Sequence, residues 1–178
     1  MSSRPSFIVS TGEVDEYSHI YPQSREAMGP ARAVGSRAGL VRLGINLQRL
    51  PPGKRSSWPH AESDEEEFVY VLDGVVDAWV DGEIYRMVAG DFAAFPAGTG
   101  ISHCFMNNSE SDALLLVGGE AAKPSNRIFY PLHPTRREDL APDAWWQDVP
   151  ARALGTHDGL PDRLRESKLA DDAADPSR

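Results

Sequence analysis

The sequence predicts an all-β fold. Three observations carry that expectation. Short apolar runs recur every 8–12 residues between 40 and 120, turn residues punctuate them, and helical periodicity is nearly absent there. Length adds a bound. A chain of 178 residues and 19.5 kDa is one domain's worth, long enough to bury a core without a disulfide or structural metal.

Residues 1–38 read as an N-terminal arm, loop-rich, with one strand expected near Phe7–Val9. Regular pattern starts at Leu40, where Val41, Leu43, Ile45 and Leu47 alternate with polar residues as in a half-buried strand that ends at Pro51-Pro52-Gly53. Phe68–Leu72 stops at Asp73-Gly74 and Val75–Val80 at Asp81-Gly82. Asp-Gly between strand-like runs is a hairpin signal, because both turn residues tolerate positive φ. Ile84–Val88, Phe92–Phe95, Ser102–Met106 and Ala113–Val117 complete the series, with Arg127–Tyr130 as a further strand or docking arm. The barrel is thus assigned to 39–134, as an all-β sandwich or barrel. Residues 135–178 form a C-terminal extension. It contains a short helix within Arg136–Trp146, interrupted by Pro142, and a polar end expected to be disordered.

Composition excludes several classes. No apolar run approaches the roughly 20 residues of a membrane span, and Met1–Phe7 lacks a signal-peptide core. Cys104 is the only cysteine, which excludes an internal disulfide and suits a reducing cytoplasm. A net charge of −9 without a basic stripe argues against nucleic acid. The expected setting is therefore cytoplasmic, with neither membrane nor nucleic acid as partner.

Two segments carry the chemistry. Gly53-Lys-Arg-Ser-Ser-Trp-Pro-His60-Ala-Glu62 leads through four residues to Glu67 and, six residues later, Gly74. Gly90 leads through five residues to Pro96-Ala-Gly98, then through four to His103 and three to Asn107. His60 and Glu62, two apart, face the same way on an extended strand, and Glu67 shares its face with Val69 and Val71. If the strands neighbour one another, two imidazoles and two carboxylates converge, a set that suits zinc, iron, manganese or nickel. The bland alternatives are solvated acids for Asp64, Glu65 and Glu66, a core filler for Cys104, surface positions for His19, His133 and His157, and Trp58, Trp145 and Trp146 packing the arms onto the barrel. Tyr70, Tyr85 and Arg86 are candidate pocket residues.

The two segments resemble the paired motifs of the cupin superfamily, in order and at nearly the family's spacing, over residues 40–118; the wording is most similar to small single-domain bacterial cupins. The resemblance implies a double-stranded β-helix, or jelly roll, with a divalent transition metal held in the barrel mouth by His60, Glu62, Glu67 and His103. It also implies a homodimer joined through the N-terminal arm. Glu62 stands where the family usually has a second histidine. It binds the metal, or turns away and leaves open positions, or the site holds metal weakly or not at all; the first reading is preferred, with Glu62 otherwise a catalytic general base. The functional expectation stays at the same level: a metal-dependent enzyme of dioxygenase, lyase or isomerase type acting on a small polar chelating substrate, or a non-catalytic protein that binds a small molecule.

Overall fold

The computed structural model describes residues 4–22 and 24–167. Eleven strands are named among them. They are β1 (Glu16–Tyr17), β2 (Ala31–Arg32), β3 (Leu43–Leu50), β4 (Ala61–Glu62), β5 (Glu67–Asp73), β6 (Val75–Val80), β7 (Glu83–Val88), β8 (Phe92–Phe95), β9 (His103–Met106), β10 (Ala113–Glu120) and β11 (Ile128–Phe129). One layer is a six-stranded antiparallel sheet ordered β1-β2-β3-β10-β5-β8. The other joins β7-β6-β9 to β4-β11 through a His60–His103 bridge. The two layers form a jelly roll, the expected all-β barrel.

Both inner faces feed one core. Leu50, Val69, Val71, Leu115 and Ala113 come from the large sheet, and Val76, Ala78 and Phe105 from the small one. Burying the Leu, Val and Phe side chains among them stabilises the barrel by about 1.5–3 kcal/mol each. Cys104 points to the opposite side of β9, fully buried with Trp79 and Met106, and burial pushes its thiol up to about 12.

Several local readings change. Asp81-Gly82 does close a β6–β7 hairpin, with both residues at positive φ. Asp73-Gly74 does not close one. There the chain crosses between layers, because β5 pairs with β8 and β10 while β6 pairs with β7 and β9. Gly74 is still required, since a Cβ would lie 2.9 Å from the Ala113 Cα. No strand forms at Phe7–Val9. Ile8 N–H turns back to the Pro5 carbonyl, and Phe7 and Ile8 stay exposed without a partner strand. The arm pairs through β1 and β2 instead. A four-residue helix, α1 (Val34–Arg37), lies where only loop was expected and packs Gly35 against Ile45. The C-terminal helix shrinks to a 3-10 segment at Pro134–Glu138. A helical stretch occupies 162–167; the tail expected to be disordered beyond it lies outside the described residues.

β3 inverts its expected polarity. Its register with β10 sets Asn46, Gln48 and Leu50 opposite Val117, Leu115 and Ala113 on the inner face. Leu43, Ile45 and Leu47 therefore face outward, towards α1 and solvent.

Both flanking segments are tied down. Arg55, 1% exposed, makes an ion pair with Glu26 of the arm and donates to the Gly159 carbonyl of the extension at 2.7 Å. Trp79 Nε1 donates to the His157 carbonyl at 2.8 Å. Trp146 is buried and Trp145 packs beside Tyr130, as expected of arm-docking residues.

Asn107, the last motif residue, has a structural role. Its Nδ2 donates to the carbonyls of Leu50 (2.6 Å) and Ser111 (2.8 Å), and its Oδ1 accepts from Ser109 N–H (2.8 Å) and Oγ (2.7 Å). An Asn107→Ala substitution leaves these buried groups unpaired. Urea denaturation is expected to show a loss of about 2–4 kcal/mol; wild-type stability would remove that role.

Candidate metal centre

Two strands and one loop converge at one end of the barrel. β5 begins on Glu67 with its side chain inward, above Val69 and Val71. β9 begins on His103, likewise inward. His60 ends the loop before β4 and meets His103 through paired backbone hydrogen bonds of 3.2 and 2.9 Å. The ligand atoms of His60, Glu67 and His103 all lie within 4.8 Å of one another.

The geometry within the cluster is defined. His60 Nε2 is 3.4 Å from Glu67 Oε2, and His103 Nε2 is 3.3 Å from the same oxygen. That oxygen is buried and completes no hydrogen bond of ordinary length. Two donor atoms bound to one ion at about 2.1 Å, about 109° apart, are separated by about 3.4 Å. The cluster therefore fits a divalent transition metal. The rings are also aimed. His60 Nδ1 donates to the Trp58 carbonyl at 2.8 Å, which turns Nε2 inward, the atom that would offer its lone pair to a metal on losing its proton. The His103 ring stacks on Phe95, with centroids 3.5 Å apart and planes 3° from parallel.

The Cupin domain family description matches residues 46–118. A sugar phosphate isomerase from a cupin superfamily, from Silicibacter pomeroyi, superposes with a TM-score of 0.62 and 31% identity, covering 69% of this chain and 80% of that one. The chain belongs to the cupin superfamily. Quercetin 2,3-dioxygenase of Bacillus subtilis is 32% identical over 94 residues, 52% of this chain. The cupin described here spans only 26% of that relative's length. A polyketide cyclase from Streptomyces resistomycificus shares the fold at a TM-score of 0.58 and 19% identity, over 81% of this chain and 96% of its own.

Glu62 stands beside this cupin's three-residue cluster. Its Oε1 is 3.9 Å from His60 Nε2, and its Oε2 accepts a hydrogen bond from Asn126 Nδ2. Asn126 lies outside both motifs, and nothing in its sequence surroundings marks it. The expected pocket residues fall elsewhere: Tyr70 sits on the outer face of the large sheet, Tyr85 is exposed, and Arg86 pairs with Asp77. His133 stacks on Trp58, and His157 accepts from Gly159 N–H. His19 lies edge-on to Tyr21.

Burial and charge act together on the cluster. Burial alone would push Glu67 up, but His60 and His103 hold it well below the usual carboxylate range. Burial pulls His60 down, and Glu67 and Glu62 more than reverse this, raising it to about 9. His103 is lowered by burial, with Glu67 opposing. Glu62 is pushed up to about 7 by burial, against the pull of His60 and Asn126.

The centre opens into a cavity of about 210 Å³ lined by Gln48, Ser57, Val69, Phe105 and Val117 beside the three cluster residues. Nothing in the sequence singles out Gln48, which sits on the polar side of β3's alternation.

The raised Glu62 carboxyl has a stability consequence in metal-free protein. Its contribution is fully present below its ordinary 4.5 and is lost as pH rises towards 7. Glu62→Gln does not titrate. Denaturation at pH 5 and pH 8 should show the variant gaining on wild type by on the order of 1–2 kcal/mol at the higher pH. A gap that does not widen would contradict the buried carboxyl.

Proposed function

We propose that this cupin is a metal-dependent enzyme acting on a small polar substrate that chelates the metal. One observation carries the reading: His60, Glu67 and His103, from separate elements, aim their donor atoms at one point beside a partly apolar cavity. A divalent transition metal held there would supply Lewis acidity and open positions to a chelating ligand.

The chain's own residues do the rest. Trp58 and Phe95 hold the two imidazoles in orientation. Val69, Phe105 and Val117 exclude water from the cavity wall. Glu62, tethered at Oε2 by Asn126, keeps Oε1 towards the cluster, where it can accept and return a proton; in the metal-free protein burial already favours its protonated form. We assign it the role of acid–base group. The names of the two relatives at 31–32% identity, a quercetin dioxygenase and a sugar phosphate isomerase, support oxygenation and isomerisation as the reaction types to screen first.

The test is metal content by plasma mass spectrometry on untagged protein. Wild type is expected to carry near-stoichiometric metal. His60→Ala and His103→Ala should each lose it while keeping the β-type circular dichroism spectrum. Glu62→Ala should keep the metal and lose turnover of whatever substrate the screens identify. Metal lost in Glu62→Ala would instead make Glu62 a ligand. A metal-free wild type, even after reconstitution, would overturn the enzyme reading in favour of metal-independent binding.

A homodimer is part of the same proposal, but on another surface than the arm-mediated one the resemblance implies, because β1 and β2 of the arm pair with this chain's own β3. The outer face of the large sheet offers the apolar surface it would cover, with Leu43, Tyr70, Leu72 and Phe92 exposed. Analytical ultracentrifugation should give a dimer that Phe92→Glu converts to a monomer. A monomeric wild type at tens of micromolar would remove the dimer.

A further inference from the structure

Gln48 sits on the inner face of β3, opposite Leu115, and is 7% exposed. An amide buried among aliphatic side chains costs free energy unless its polar atoms are used. Two of its groups are. Nε2 donates to the Gly29 carbonyl at 2.9 Å and to the Ser56 carbonyl at 3.2 Å, which occupies both amide hydrogens.

This arrangement also fixes which way the amide points. The flipped orientation would set Oε1 against two carbonyl oxygens, an acceptor against acceptors. Both carbonyls are themselves anchored. Gly29 N–H donates to the Arg55 carbonyl at 2.8 Å. Gly29 can approach only because it lacks a Cβ, which would lie 2.9 Å from the Arg49 carbonyl oxygen. Ser56 N–H donates to the Phe105 carbonyl at 2.8 Å, and its Oγ accepts from Phe105 N–H at 3.0 Å.

No described residue donates to the remaining atom, Oε1. Gln48 lines the 210 Å³ cavity together with His60, Glu67 and His103. Gln48, Ser56 and Val117 also line a second cavity of about 170 Å³, walled by Tyr17, His19 and Met28 of the N-terminal arm. Gln48 thus stands on the wall shared by the two cavities with one oriented acceptor whose own donors are spent.

We propose that Gln48 is a specificity-determining residue: its Oε1 accepts a hydrogen bond from a hydroxyl of the bound substrate, which makes polyhydroxylated chelators the substrate class. This rests on the metal-centre reading and deepens it. An acceptor-only group disfavours a carboxylate, phosphate or bare carbonyl at the same position, and the Glu67 carboxylate lining the same cavity adds to that preference. The chelating end of the substrate lies at His60, Glu67 and His103; a further hydroxyl lies at Gln48.

The test uses matched ligand pairs on metal-loaded protein, by anaerobic calorimetry. Pyrogallol and 3-methylcatechol both chelate through adjacent hydroxyls and differ by one hydroxyl against a methyl. Threonate and 2-hydroxybutyrate chelate through a carboxylate and its neighbouring hydroxyl, and differ in the hydroxyls beyond. In at least one pair, wild type is expected to favour the hydroxylated member about tenfold, the worth of one net hydrogen bond. Which pair responds distinguishes an aromatic from a sugar-acid substrate. Gln48→Met should erase the preference with metal content unchanged. Equal binding within both pairs in wild type would overturn the inference, whether or not the variant folds; so would a preference that survives Gln48→Met. A metal-free wild type would overturn the metal reading instead, so the two failures are separable.

Discussion

The structure turns on burying the Glu67 carboxylate at the end of an apolar strand. A carboxylate beside Val69 and Val71 costs several kcal/mol unless cationic groups or a metal surround it. Here the His60 imidazole, raised to about 9, supplies the positive charge at 3.4 Å, with the His103 ring beside it at 3.3 Å. That requirement brings the start of β9 and the loop before β4 to the start of β5. It also keeps this end of the barrel from being packed shut with aliphatic side chains, as Leu50, Val71 and Leu115 pack the core.

Electrostatics then divides labour between two neighbouring glutamates. Glu67 is held ionised by its imidazoles, while Glu62, further off and bonded to an amide, is pushed up to about 7. Two carboxylates in one site with ionisation pulled apart set an anion beside a protonatable group, the pattern on which the proposed acid–base role of Glu62 rests. The difference comes from distance and partner, since the residue type is the same.

Much of this was legible in the sequence. Strand positions between 67 and 106 are set by alternation and Asp-Gly turns, and the motif spacing groups His60, Glu62, Glu67 and His103, of which His60, Glu67 and His103 bring their donor atoms within 4.8 Å of one another. The features that escaped did so for physical reasons. Asp73-Gly74 marks a turn without marking its destination, because local turn chemistry is the same whether the chain folds back within a layer or crosses to the other. β3 alternates clearly, yet alternation shows two faces without saying which is inside; packing against α1 and the demand for polar groups near the cavity decide it. Asn126 and Gln48 act through long-range contacts, which no local pattern encodes.

Arg55 bears on where this protein can be divided. Its guanidinium lies under the barrel and is satisfied by one group from each flank, the Glu26 carboxylate and the Gly159 carbonyl. Trimming either end would strand a buried charge inside what remained. The 46–118 segment that matches the family description is therefore a unit of ancestry and not a unit of cooperativity. Grafts, truncations and fusions should respect the span from Glu26 to Gly159, within which a single planar cation acts as the knot holding both ends of the thread.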